Sequence, residues 1–77
     1  MARHEIEGFE KRLRDTILGS GKSATRIAAD MHIDRRLVHR WISGETYPTA
    51  GLLMEICRYF GVSADWLLGL KGRKTSK

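Results

Sequence analysis

Signals that start and stop helices recur at short intervals along this chain, and they leave room only for short helices. Four residues of the types that cap helix N-termini each stand before an apolar helical pattern; these are Ser23, Asp34, Thr49 and Ser63. Glycines follow three of these patterns, at Gly44, Gly61 and Gly69. The sequence has no alternation of apolar and polar residues long enough to indicate a strand. The spacing therefore predicts an all-α fold of five short helices.

The apolar positions set the bounds of these helices. In the first, which covers residues 6–18 and stops at the sequence GSGK, the residues at helical spacing are Ile6, Phe9, Leu13 and Ile17. The others follow the capping residues and cover residues 24 to about 32, 35 to about 43, 50–60 and 64–68. A chain of 77 residues has room for a single domain. We assign residues 1–70 to it and expect residues 71–77, KGRKTSK, to be a flexible basic tail.

The residue types that catalysis and metal binding require are sparse. Cys57 is the only cysteine, and its place on the apolar face of the fourth helix indicates a small core residue rather than a nucleophile. His4, His32 and His39 form no catalytic or metal-binding pattern with carboxylates. The GSGK sequence lacks the spacing of a phosphate-binding loop and indicates a turn. We therefore expect no enzymatic activity, no cofactor and no metal.

The apolar runs are short. The longest, such as GLLM and WLLGL, are far below the length of a membrane span, and no signal-peptide core follows the charged start. With a single cysteine, the chain also cannot form an intrachain disulfide, the usual staple of small secreted domains. We expect a cytoplasmic protein with no membrane partner.

Positive charge is in excess, and three of the arginines lie in the third helix. Fourteen Lys and Arg against nine Asp and Glu give a net charge of +5, which attracts polyanions but also occurs for solubility alone. At about 100° per residue, one face of this helix is apolar, with Leu37, Val38, Trp41 and Ile42. The other face carries Arg35, Arg36, His39, Arg40 and Ser43. Because no acidic residue follows the cap to offset these charges, the face favours an anionic partner.

The second and third helices have the spacing of a two-helix DNA-binding unit. Counted from Ala24, the fifth position is Ala28, small enough for two helices to approach, and the ninth, in the turn, is His32. The fifteenth and eighteenth positions are the apolar Val38 and Trp41, where the second helix packs on the first. In these positions the stretch resembles the helix-turn-helix of the lambda-repressor and Cro-like family. The segment YPTAGLLMEICRYFGVSADWLLG is similar to that family's fourth helix and Val-Ser-x-x-Trp-Leu-Leu-Gly ending, so the resemblance covers roughly residues 9–70.

The sequence departs from the family pattern at three positions of this unit. His32 stands where glycine is usual, and we expect it to adopt the positive φ of the turn, which histidine does more readily than most residues. Ala24 replaces a common glutamine, which removes one expected phosphate contact. Asp34 stands where Ser or Thr is common; we interpret it as a cap, and whether it also accepts from a cytosine amine stays open.

The resemblance implies sequence-specific binding of duplex DNA by a transcriptional regulator, with the third helix in the major groove. The simplest form is a phage or prophage-type repressor. The base-contacting residues would be Arg35, Arg36, His39 and Arg40, with the arginines pairing with guanine. The backbone contacts would come from Lys22, Ser23, Thr25, Ser43 and Thr46.

The resemblance also implies a homodimer on a palindromic operator. Candidate dimer residues lie in and after the fifth helix; they are Trp66, Leu67, Leu68 and Leu70, although residues like the first two more often belong to the core. The chain is expected to be either a complete small repressor or the DNA-binding part of a longer regulator. The alternative function is a protein-interaction module, as in antitoxin-like or adaptor proteins, which would need an additional hydrophobic surface or a binding arm.

Overall fold

A computed structural model describes residues 6–70, and its regular structure consists of five α-helices. They are α1 (Phe9–Gly19), α2 (Ala24–Met31), α3 (Arg35–Ser43), α4 (Ala50–Phe60) and α5 (Ala64–Leu68). The predicted all-α fold with five short helices is confirmed. The assignment of residues 1–70 to one domain stays a prediction, and the predicted tail at residues 71–77 lies outside the described residues.

All four predicted caps begin helices. In each case the side-chain oxygen accepts a hydrogen bond from a backbone N–H of the first turn. The pairs are Ser23 with Arg26, Asp34 with Arg36, Thr49 with Leu52, and Ser63 with Trp66. The first turn of a helix has N–H groups without intrahelical partners, and each cap satisfies one of them. The starts of α2 to α5 are therefore fixed by local sequence.

The same four helices end in one motif. The residue after each helix is left-handed, and the next residue donates its N–H to the carbonyl oxygen five positions back, at distances of 2.8–3.2 Å. The left-handed residues are His32, Gly44, Gly61 and Gly69. His32 has φ 59° and is the only non-glycine residue with positive φ among those described. The predicted conformation of His32 is therefore confirmed.

The predicted start of the first helix is wrong. Gly8 has φ 79°, so the chain cannot continue as a helix back to Ile6, and α1 begins at Phe9. Ile6 lies before the helix, where its carbonyl accepts from Phe9 N at 3.0 Å and its N–H donates to the Tyr47 hydroxyl at 3.2 Å. Ile6 still packs against the core, which explains why it matched the apolar period.

Helix α3 packs on both α1 and α2, and its apolar face lies in the centre of the core. Val38 is 0% exposed and Trp41 is 1% exposed. They lie among buried side chains of every other helix and of the turn after α4; these are Phe9, Leu13, Ile17, Ile27, Ala28, Ile56, Val62 and Leu67. On α4 only Ile56 is buried, whereas the other predicted core positions, Leu53, Cys57 and Phe60, are half-buried. The core therefore fixes which face of α3 is turned outward.

The expected dimer residues of the fifth helix separate into core and surface. Leu67 is 0% exposed, so it belongs to the core and cannot form a dimer surface. Trp66 and Leu68 are half-buried against the core. Leu70, which is 61% exposed, is the one residue of the four that lies open. The expectation that Leu67 is more often a core residue is therefore confirmed, and Leu67 is removed from the candidate dimer surface.

Candidate nucleic-acid interface

Two short helices and a tight turn form the unit that positions the candidate site. The chain leaves α2 through left-handed His32, and the N–H of Ile33 returns to the carbonyl of Ala28 at 3.0 Å. Asp34 then caps α3. Ala28 is 4% exposed, and its small side chain suits the close approach of α2 and α3. The sequence thus folds locally into a helix, a turn and a second helix fixed from behind by the core.

The outer face of α3 carries all the residues expected to contact bases. Arg35, Arg36, His39 and Arg40 are exposed, and Ser43 at the end of the helix is exposed too. On the opposite face Leu37 and Ile42 are half-buried beside the two core residues of α3. The two faces inferred from the sequence are therefore present, and the structure brings the three guanidinium groups and the imidazole onto one exposed surface.

Asp34 binds the side chain of Arg36 as well as capping the helix. Its Oδ1 accepts from Arg36 N at 2.8 Å and from Nε at 3.3 Å, while Oδ2 accepts from Nη2 at 3.1 Å. The hydrogen bonds from the Arg36 side chain and backbone lower the pKa of Asp34, and the same pair raises the pKa of Arg36. The Asp34–Arg36 pair was not predicted, although the Asp-x-Arg spacing was a signal for it.

The expected backbone-contacting residues lie at two different helix ends. Lys22, Ser23 and Thr25 are exposed at the start of α2, where the Ser23 hydroxyl already accepts from Arg26 N at 3.1 Å. The other two lie at and after the end of α3: Ser43 donates to the carbonyl of Arg40, and half-buried Thr46 donates to that of Tyr47. The residues at the start of α2 therefore have more polar side-chain atoms available to bind DNA than Ser43 and Thr46 have.

A polar network links α4 to both ends of α2. Tyr59 on α4 donates its hydroxyl hydrogen to Oδ2 of Asp30, which also accepts from Nε of Arg26 at 3.0 Å. The Tyr59 hydroxyl is the main cause that lowers the pKa of Asp30, with Arg26 adding to it. The ring of the same tyrosine lies under Lys22, with Nζ 4.4 Å from the ring centroid. The contacts of Tyr59 with Asp30 and Lys22 were not predicted, because they join residues far apart in sequence.

Other kinds of site have little support. No group of three or more His, Cys, Asp or Glu side chains within residues 6–70 is placed to hold a metal ion. Burial raises the pKa of the Cys57 thiol, which disfavours the nucleophilic thiolate. No helix in the same part of the chain is long and apolar enough to cross a membrane. The exposed basic face of α3 is thus the best-defined candidate site of the described structure.

Comparison with known proteins agrees with this geometry. A family model described as helix-turn-helix matches residues 11–67, which includes all of α2, α3 and α4 and most of α1 and α5. No curated protein and no solved structure gave a significant match. The match covers well over half of the chain and centres on the two-helix unit. The chain therefore belongs to the Cro-like helix-turn-helix family of DNA-binding regulators.

Proposed function

We propose that this protein is a sequence-specific regulator of transcription, of the phage or prophage repressor type, that reads the major groove with α3. The observation that carries the proposal is the contrast between the two faces of this helix. Val38 and Trp41 hold one face in the core, and the opposite face presents Arg35, Arg36 and Arg40 to the solvent. A helix fixed in this way can enter the major groove without losing its packing.

Each basic side chain has a proposed role. Arg35, Arg36 and Arg40 pair with guanines through O6 and N7, and His39 contacts a base or a neighbouring phosphate. The phosphate contacts come from the start of α2 and from the end of α3; the residues are Lys22, Ser23, Thr25, Ser43 and Thr46. The exposed start of α2 is the stronger of these two groups, because the positive end of the helix dipole adds to the charge of Lys22.

The proposed regulator acts in the cytoplasm as a homodimer on a palindromic operator. One domain of this size buries too little DNA surface to select a single site in a genome, whereas two copies double the number of base contacts. Leu70, with the half-buried Trp66 and Leu68, supplies apolar area for such a dimer. The half-sites would then lie about one helical turn apart.

The test is selection of binding sites from random duplexes, followed by salt titrations on the selected site and on a scrambled duplex. We expect a guanine-containing palindrome, and we expect Arg40→Ala to relax the preference at one or two base pairs by about 1–3 kcal/mol. The matched control is Arg14→Ala, which removes an equal charge from the exposed surface of α1. Equal weak binding of every duplex would instead favour the interaction-module alternative.

A further inference from the structure

The bond pattern between Asp34 and Arg36 determines which edge of the guanidinium remains free. The carboxylate engages Nε and Nη2, which form the side edge of the planar group. A guanidinium has five N–H donors in a fixed plane, so the end edge between Nη1 and Nη2 keeps its own two parallel donors. That end edge matches the O6 and N7 acceptors of guanine in the major groove. The pair thus uses one edge of Arg36 and leaves free an edge that can read a base.

We propose that Asp34 is a positioning residue that determines specificity, because it holds Arg36 for guanine and keeps it from binding phosphate. This inference rests on the proposed function, in which α3 reads bases. A free arginine side chain is attracted to every phosphate on the duplex, and it loses side-chain entropy when it settles on one base. A paired arginine is already ordered, and its charge toward the phosphates is offset by the carboxylate.

The other two arginines of the same face provide an internal contrast. Within residues 6–70, neither Arg35 nor Arg40 has an ion pair with an acidic side chain. Arg36 is therefore the one guanidinium of this surface whose direction is set before DNA arrives. The carboxylate of Asp34 has both oxygens bound to Arg36, so it is less available to accept from a cytosine amine. The structure accordingly assigns base reading at this position to the arginine.

The experiment compares the full chain with Asp34→Asn and Asp34→Ser, both of which keep a good helix cap but remove the charge. Binding is measured on the selected site, on the same site with each guanine replaced in turn, and on a scrambled duplex. We expect the wild-type protein to prefer one guanine by about tenfold, and both variants to reduce that ratio by about threefold or more. Their affinity for the scrambled duplex should not fall, and its salt dependence should steepen, because Arg36 becomes free to bind phosphate.

The matched control is Glu45→Gln, which removes a carboxylate just beyond the other end of α3, where it has no ion pair within the described residues. It should change the salt dependence in the same direction but leave the guanine ratio unchanged. A second control uses Arg36→Ala as background. There Asp34→Asn should have no effect on base preference, since the carboxylate acts through the arginine. Circular dichroism of every variant verifies that the total helix content is unchanged.

The possible outcomes separate this inference from the function on which it rests. A wild-type protein without sequence preference overturns both. A selective wild-type protein whose guanine ratio is unchanged in Asp34→Asn and Asp34→Ser overturns only the positioning role. If those variants instead lose a cytosine preference that Arg36→Ala keeps, Asp34 reads the base itself and the inference is wrong.

Discussion

Arg12 Nε donates a 3.0 Å hydrogen bond to the carbonyl oxygen of Leu67, and this bond joins the first helix to the last. Nη2 of the same side chain donates to the carbonyl of Glu7 at 2.9 Å. The guanidinium therefore ties the segment before α1 to the end of α5, where helix carbonyls have no intrahelical donor. Arg12 is therefore a structural residue of the fold.

Replacing Arg12 with alanine should lower the free energy of unfolding by about 1–3 kcal/mol. The bonds that are lost come from a charged donor, and they leave the carbonyl of Leu67 with one acceptor position unused. Urea unfolding measures the change. Arg14→Ala is the control, because this exposed arginine of the same helix should change stability by no more than about 0.5 kcal/mol. Equal effects of the two substitutions would contradict the role given to Arg12.

Gly69→Ala should destabilise the protein more than Gly61→Ala, although both glycines are left-handed. A Cβ on Gly69 would lie 2.8 Å from Arg12 Nη2, whereas one on Gly61 meets no atom within 4 Å. Gly61→Ala should therefore show only the backbone cost, about 1 kcal/mol. Gly69→Ala adds the loss of the Arg12 bonds, because the guanidinium must move. In an Arg12→Ala background the two substitutions should cost the same, and a persistent difference in urea unfolding would refute this explanation.

His32→Gly should raise the free energy of unfolding by about 0.5–1 kcal/mol. The left-handed conformation costs an L-residue about 1–2 kcal/mol, and the greater freedom of glycine in the unfolded chain offsets part of that gain. His32→Val should be destabilising, because a β-branched residue tolerates positive φ poorly. His39→Gly, within α3, serves as the control and should lower stability by about 0.3–0.5 kcal/mol. Thermal melts of the three variants test this predicted order of stability.

The pKa of Asp34 should give the fold a component of stability that acid removes. Arg36 holds this pKa below its ordinary value of 3.8, so the unfolded chain binds the proton more readily than the folded chain. The contribution is thus present above the ordinary pKa and is lost as pH falls through the lower folded pKa. Asp30 contributes to the pH dependence of stability in the same direction, because Tyr59 lowers its pKa. Urea unfolding between about pH 5 and pH 2 should be less pH-dependent in Asp34→Asn and Asp30→Asn, and least in the double variant.

The features that the sequence predicted correctly are local ones. A cap such as Ser23 acts on an N–H three residues away, and a stop such as Gly44 acts within one turn, so both can be recognised from neighbouring residues. The start of α1 was misplaced because Ile6 continues the apolar period although Gly8 breaks the backbone helix. Hydropathy reports burial, and Ile6 packs on the core without being helical.

The candidate site shows the same difference between local features, which were predicted, and contacts between side chains, which were not. Which residues of α3 are exposed could be predicted, because helical periodicity alone separates the two faces. The hydrogen-bond partners of the polar side chains in and around the site were not predicted. The Asp34–Arg36 pair depends on the rotamer of a long side chain, and the contact of Tyr59 with Asp30 joins positions separated by 29 residues. Only the second of these contacts depends on how α4 lies against α2, because Asp34 and Arg36 are two residues apart.

Tyr59 should affect DNA binding through Lys22, although it lies on a different helix. We expect Lys22→Ala to weaken binding to all duplexes alike and to lower the slope of log affinity against log salt concentration by about 0.9, as for one lost phosphate contact. Tyr59→Leu removes the ring on which Nζ rests and should act in the same sense, by about twofold in affinity.

Tyr59→Phe is the matched control, because it keeps the ring under Lys22 and loses only the hydroxyl that binds Asp30. Its affinity and salt slope should remain close to those of the wild-type protein. In a Lys22→Ala background, Tyr59→Leu should have no further effect on binding, because the residue it orders is gone. If Tyr59→Leu weakens binding equally with and without Lys22, the ring acts on the fold of α2 and not on the phosphate contact.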